Sequence, residues 1–273
     1  MKKNPLGLLL YCTIFTALFL TACLKPNGPI VVPGHPTVRI TLLKELDPLY
    51  ADSFRLYYNS QGNPTRIIPT LVGTGRPMWL FRYDNQQRLV ARIGSYSSLE
   101  TFEMAHRYVY DAAGRIIRDT AYVFGTFDTT VTPVGIGGQR LRTTTYQYDS
   151  LNRIIRAVAT EMPTHPPVFR STIDYSYNSS GNAWRIQNIT EEITAMGIQP
   201  DTTIVYPVYD NKINFRRLHP LWQFIDRDYS RNNPNQVVSY NSYGLPLEFP
   251  APPYPQSSYV LGIPFHHTAI RYQ

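Results

Sequence analysis

Tyr108-Val109-Tyr110-Asp111-Ala112-Ala113-Gly114-Arg115-Ile116-Ile117-Arg118 is the stretch that decides how this chain folds. Tyrosines two apart lie on one face of a strand. Asp111 then opens a turn by accepting bonds from its own backbone, and Gly114, three residues on, takes a left-handed conformation. A second strand leaves through Arg115-Ile116-Ile117-Arg118. The segment predicts a β-hairpin with Arg115 just past its turn, placed to pair with the Asp111 carboxylate or to lie on a tyrosine ring. Alternation beyond the turn puts Ile117, Ala121 and Val123 on one face, and Arg118, Thr120, Tyr122 and Phe124 on the other.

The pattern recurs along the chain. Tyr146-Gln147-Tyr148-Asp149-Ser150-Leu151-Asn152-Arg153-Ile154-Ile155-Arg156 is a second clear copy. Shorter copies start at Tyr58-Asn59, Tyr83-Asp84, Tyr175-Ser176-Tyr177-Asn178 and Tyr240-Asn241. Most neighbours fall about 25 to 40 residues apart, the range of repeat architectures. The expected fold is all-β: an antiparallel meander of hairpins in one large twisted sheet, open or curled into a partial barrel or sandwich. It occupies residues 38–273 as a single domain. Within it, Pro220 to Asp228 predicts a short helix with Leu221, Trp222 and Ile225 on its apolar face, and Phe249 to Ser257 a loop.

These residues resemble the YD repeats of Rhs-type wall and toxin proteins and of envelope lipoproteins with degenerate copies. The copies here are too few to build a closed shell, so the resemblance implies repeat architecture and not toxin delivery. Tyr209-Asp210-Asn211-Lys212-Ile213-Asn214-Phe215, with the following Arg231-Asn232-Asn233-Pro234, resembles the carboxy-terminal part of uncharacterised DUF4595-like lipoproteins. Phe215 stands where that family usually has proline. The resemblance brings no established activity with it.

The amino terminus adds an address. Met1-Lys2-Lys3-Asn4-Pro5 is short and positive, and Leu6 to Leu20 is largely apolar. That run is shorter than the roughly 20 residues a spanning helix needs, and it fits a secretory signal; an uncleaved membrane anchor is the alternative. Leu20-Thr21-Ala22-Cys23 resembles the lipobox of bacterial lipoproteins. By that resemblance residues 1–22 are the signal, Cys23 is the lipidated residue, and residues 23–37 are a Pro/Gly-rich tether to the membrane. No aspartate follows Cys23, and Leu24-Lys25-Pro26-Asn27-Gly28-Pro29 holds no acid. By analogy with those lipoproteins, both imply an outer-membrane, periplasm-facing protein; the cell surface is the alternative.

Composition narrows the chemistry. Cys12 and Cys23 are the only cysteines, and Cys12 lies within the signal, so the domain is expected without disulfides or cysteine metal sites. The formal charge of +7 includes Lys2 and Lys3. The arginines are dispersed through alternating segments, so no nucleic-acid partner is expected. There is no nucleophile elbow, zinc helix or phosphate loop. Gly135-Ile136-Gly137-Gly138 reads as a flexible hairpin tip. His266-His267 reads as strand neighbours pointing apart, and no metal or cofactor is expected. Asp84, Asp111, Asp149 and Asp210 are explained by turns, and a non-enzymatic protein is expected, structural or ligand-presenting. A glycan- or peptide-binding module is the first alternative and a hydrolase the second. Trp79, Trp184 and Trp222 are the candidate aromatic ligand contacts, against cross-strand packing by the same rings.

Overall fold

The computed structural model describes residues 38–96, 100–131, 134–162, 167–234, 237–250 and 258–273. The segments expected to be signal and tether, with Cys23, lie outside the described residues, as does most of the loop expected from Phe249 to Ser257. Twelve strands follow in order. They are β1 (Ile40–Glu45), β2 (Ser53–Tyr58), β3 (Pro64–Pro69), β4 (Met78–Tyr83), β5 (Leu89–Ser95) and β6 (Thr101–Tyr110). Then come β7 (Ile116–Asp128), β8 (Gly135–Tyr148), β9 (Ile154–Glu161), β10 (Val168–Tyr177), β11 (Ala183–Thr194) and β12 (Gly197–Val205). Each pairs antiparallel with the next, and β1 also pairs with β19 (Thr268–Tyr272), which continues the sheet through β16 (Pro246–Phe249) to β15 (Ser239–Tyr240). The result is one fifteen-stranded sheet with β12 and β15 as its edges, so it does not close into a barrel. No described helix is long and apolar enough to cross a membrane, which says nothing of crossing by strands.

The repeat becomes a single mechanical unit. Its six turns begin at Asn59, Asp84, Asp111, Asp149, Asn178 and Asn241. In each, the side-chain oxygen of that residue accepts the backbone N–H four residues on. The residue three on has positive φ: Gly62, Gln87, Gly114, Asn152, Gly181 or Gly244. Glycine takes that conformation at no steric cost, and asparagine tolerates it. Arg88, Arg115 and Arg153 each pair back to their turn aspartate at 2.6–2.8 Å. The same three guanidiniums lie over Tyr110, Tyr148 and Tyr177 of the next hairpin. Carboxylate pairing and ring stacking, alternatives in the sequence, occur together.

Six residues past each turn opening the register slips by one, at Thr65, Val90, Ile117, Ile155, Trp184 and Leu247. A β-bulge leaves its extra residue unpaired and bends the strand. Simple alternation therefore fails at Ile117, which is exposed although Ala121, of the same parity, is buried. The bulge also explains Arg-Ile-Ile-Arg: the first isoleucine, Ile116 or Ile154, enters the core, and the second takes the bulge. The carbonyl beside the bulge is then used from outside. Tyr83, Tyr110, Tyr148, Tyr177, Tyr209 and Tyr272 donate their hydroxyls to Pro64, Leu89, Ile116, Ile154, Ala183 and Pro246, each on the preceding hairpin. Every rung adds about 1 kcal/mol as a net hydrogen bond. Burial pushes these phenols above their ordinary range, so they stay protonated donors.

Two cores cover the two faces. The larger joins the sheet to the carboxy-terminal segment, including a 3-10 turn at Phe215–Leu218 and α1 (Pro220–Asp226). The predicted helix is thus present, two residues shorter, and Leu221 to Phe224 are all buried. Arg216 anchors it through Asp226, whose carboxylate also accepts the backbone N–H of Leu261 and Gly262 between β17 (Ser258–Val260) and β18 (Ile263–Phe265). The smaller core lies on the other face, around Leu80, Ile93, Phe102 and Phe127, under the long β7–β8 hairpin. Here a sequence expectation is corrected. Gly135 to Gly138 form the start of β8 and not a flexible tip. A Cβ on Gly138 would sit 2.7 Å from the Phe102 ring, and one on Gly125 would sit 1.9 Å from the Gly137 carbonyl oxygen. Those glycines serve close packing.

Candidate functional site: a cavity at the turn end of the sheet

Eight strands laid flat at about 4.8 Å spacing would spread over roughly 35 Å. Yet residues from β1 to the turn after β8 line one cavity together with α1. The sheet therefore curls, gathering the repeat turns around the helix. The cavity measures about 670 Å³, within the range of small-molecule sites. Tyr58, Tyr83, Tyr110 and Tyr148 line it, backed by Arg39, Arg88 and Arg115. Turn amides Asn63, Gln87 and Asn152 lie at its rim, and His219, Trp222 and Gln223 face it from the helix.

His219 is the helix N-cap. Its Nδ1 accepts the Leu221 N–H at 3.2 Å, and its Nε2 meets the Asn63 side-chain oxygen at 3.2 Å. The neutral tautomer with its hydrogen on Nε2 fits both bonds, and it ties the first repeat turn to the helix. Burial, with the charge of Arg39, pushes the imidazole down to about 4. Gln223 is fully buried, and neither its amide nitrogen nor its amide oxygen has a partner among the described residues. A buried polar group left so costs about 1–3 kcal/mol. The lining holds no aspartate, glutamate, serine, threonine or cysteine.

The three candidate tryptophans are not brought together. Trp222 is 1% exposed and packs edge-on against Phe81 at 6.0 Å. Trp79 is buried with the Arg92 guanidinium 3.7 Å above its ring. Trp184, at the bulge of the fifth hairpin, is 47% exposed with Tyr206 at 6.1 Å. His266 and His267 lie in the bend before β19 and not within a strand; both backbone N–H groups bond Glu45, while the His266 ring stacks on Tyr50 and the His267 ring meets Glu248 at 2.8 Å. Among the described residues no group of three His, Cys, Asp or Glu side chains is placed to hold a metal. Asp210 opens no hairpin; it accepts from Asn233 and Tyr240 and fixes β13 (Tyr209–Ile213) to β14 (Asn232–Pro234).

No family model matches this chain, and no curated protein matches it. Two solved structures are similar to it in part. One is the TcdB2-TccC3 crystal structure without the hypervariable C-terminal region, at 17% identity and a TM-score of 0.32. The match covers 77% of this chain and 12% of that one. The other is a porin-like protein from Bacteroides uniformis, at 12% identity and a TM-score of 0.21, covering 66% and 98% of the two chains. Neither likeness carries a functional argument at such scores.

Sequence reasoning passed over His219 and Gln223. His219-Pro220 ahead of an apolar run is a legible helix start, since proline suits the first helical position. Nothing local marks Gln223. Its meaning comes from strands more than a hundred residues away.

Proposed function

We propose that this chain is a non-enzymatic envelope lipoprotein whose β domain binds a short neutral glycan in the turn-end cavity. The observation that carries the reading is Gln223, a residue of the aromatic cavity lining whose buried amide has both its donor and its acceptor unused among the described residues. Sugars present apolar faces to aromatic rings and hydroxyls to amides, and this lining supplies both. The absence of carboxylates from the lining supports binding over hydrolysis, because glycosidases use two. Calorimetric titration with neutral oligosaccharides of two to four units is the test. Binding is expected to weaken by about tenfold or more in Gln223→Leu, the cost of one hydrogen-bonded amide. An unchanged affinity in that variant, or no binding by any sugar, rejects the reading.

Attachment rests on Leu20-Thr21-Ala22-Cys23 and on the absence of acid after it, which supports a periplasm-facing outer-membrane anchor. Two or more acyl chains hold a protein stably at a bilayer. Cys23→Ala is expected to move the protein from the membrane fraction to the soluble fraction on cell breakage. A variant that stays in the membrane at precursor length would support an uncleaved apolar anchor instead.

A further inference from the structure

A second cavity, of about 190 Å³, lies on the same sheet face between β4–β8, the end of α1 and the β17–β18 turn. Three guanidiniums line it: Arg92, Arg142 and Arg227. Arg92 is held on two sides. The Trp79 ring lies 3.7 Å from it, and the Gly262 carbonyl accepts from its Nη2 at 3.5 Å. A Cβ on Gly262 would come within 2.7 Å of that nitrogen, so the left-handed turn there must be glycine for Arg92 to fit. Arg227 adopts φ +51 at the helix C-cap, where glycine is the cheaper residue. The Nε atoms of both Arg92 and Arg142 are buried with no partner among the described residues.

Two nearby acids are already engaged, and Glu161, opposite Arg142 on β9, is outside the lining. Both Asp119 oxygens lie 2.9–3.0 Å from His106 Nδ1. Asp226 is taken by Arg216 and by two backbone N–H groups. Tyr108 and Tyr146, also in the lining, are neutral phenols whose ionisation is opposed by burial. The lining therefore sets three fixed positive charges against one carboxylate. Buried guanidiniums need a partner, and Nε–H beside Nη–H is a fork matched to oxyanions.

We infer that this cavity seats a tetrahedral oxyanion, the group common to phosphate, sulfate and phosphomonoesters, between Arg92, Arg142 and Arg227. With Arg227 beside them, the guanidiniums present more N–H donors than the roughly four acceptor positions of one planar carboxylate, which favours the four-oxygen ion. The inference is independent of glycan binding in the larger cavity.

Thermal unfolding of the full chain in sodium phosphate, sulfate, acetate or chloride at equal ionic strength tests it. Phosphate and sulfate are expected to raise the Tm saturably, and acetate and chloride are not. Glycerol phosphate added at the same concentration separates two sources. A larger rise than with inorganic phosphate marks the end group of a bigger ligand, and an equal or smaller one marks the free ion. Arg142→Gln and Arg142→Lys should both weaken the phosphate response by tenfold or more, since lysine keeps the charge and lacks the fork. Their Tm in chloride reports that they fold. A response equal in the parent and both variants, or matched by acetate or chloride, overturns the assignment.

Discussion

Trp222→Ala is expected to lower the unfolding free energy by about 3–5 kcal/mol, the cost of emptying a large aromatic site. The indole is 1% exposed and lies at the centre of the larger core, edge-on to Phe81 and 5.9 Å from His219. Its neighbours cannot collapse into the gap. Phe81 is fixed in a central strand, and the helix is pinned by the buried Arg216–Asp226 pair on one side and by Asn63 on the other. Urea unfolding followed by far-UV circular dichroism measures the loss. A change under 1 kcal/mol would mean that the helix is not the keystone of the curl.

Acid should destabilise the domain through His219. Its folded pKa is near 4 and the unfolded imidazole titrates near 6.5, so the unfolded state binds the proton first. Stability from the neutral ring is complete above pH 6.5. It is lost as pH falls from there toward 4, at up to about 1.4 kcal/mol per unit and on the order of 3 kcal/mol in all. Protonation would also set an Nδ1–H against the Leu221 N–H that Nδ1 now accepts. His219→Asn keeps a capping side chain without a titration in this range. The drop in urea midpoint between pH 7 and pH 4.5 should therefore be clearly smaller in the variant. Equal drops would assign the acid sensitivity to other groups, such as Asp111, which the backbone N–H and guanidinium of Arg115 hold below the usual carboxylate range.

The hairpins were legible because the repeat encodes them locally. Turn-opening Asp or Asn, a left-handed residue three on and a returning arginine are all short-range signals; the first two appear in all six turns, with Gln87 in place of Gly or Asn once, and the arginine in three. The bulge was not legible, because Ile116 and Ile117 look alike and only pairing with Tyr110 separates them. The glycines of β8 misled for a related reason: alone they suggest mobility, and only Phe102 across the sheet shows that they are needed for contact. Trp79, Trp184 and Trp222 are equivalent in sequence and differ in exposure. The curl that creates both cavities depends on where residues 215–229 dock, which no local pattern specifies.

The tyrosine rungs point one way, each hydroxyl reaching back to the hairpin made before it. Each added hairpin thus finds its acceptor carbonyl in its predecessor and provides the next one at its own bulge. Such a one-way pattern lets the sheet lengthen by whole hairpins along the chain without repacking what came earlier.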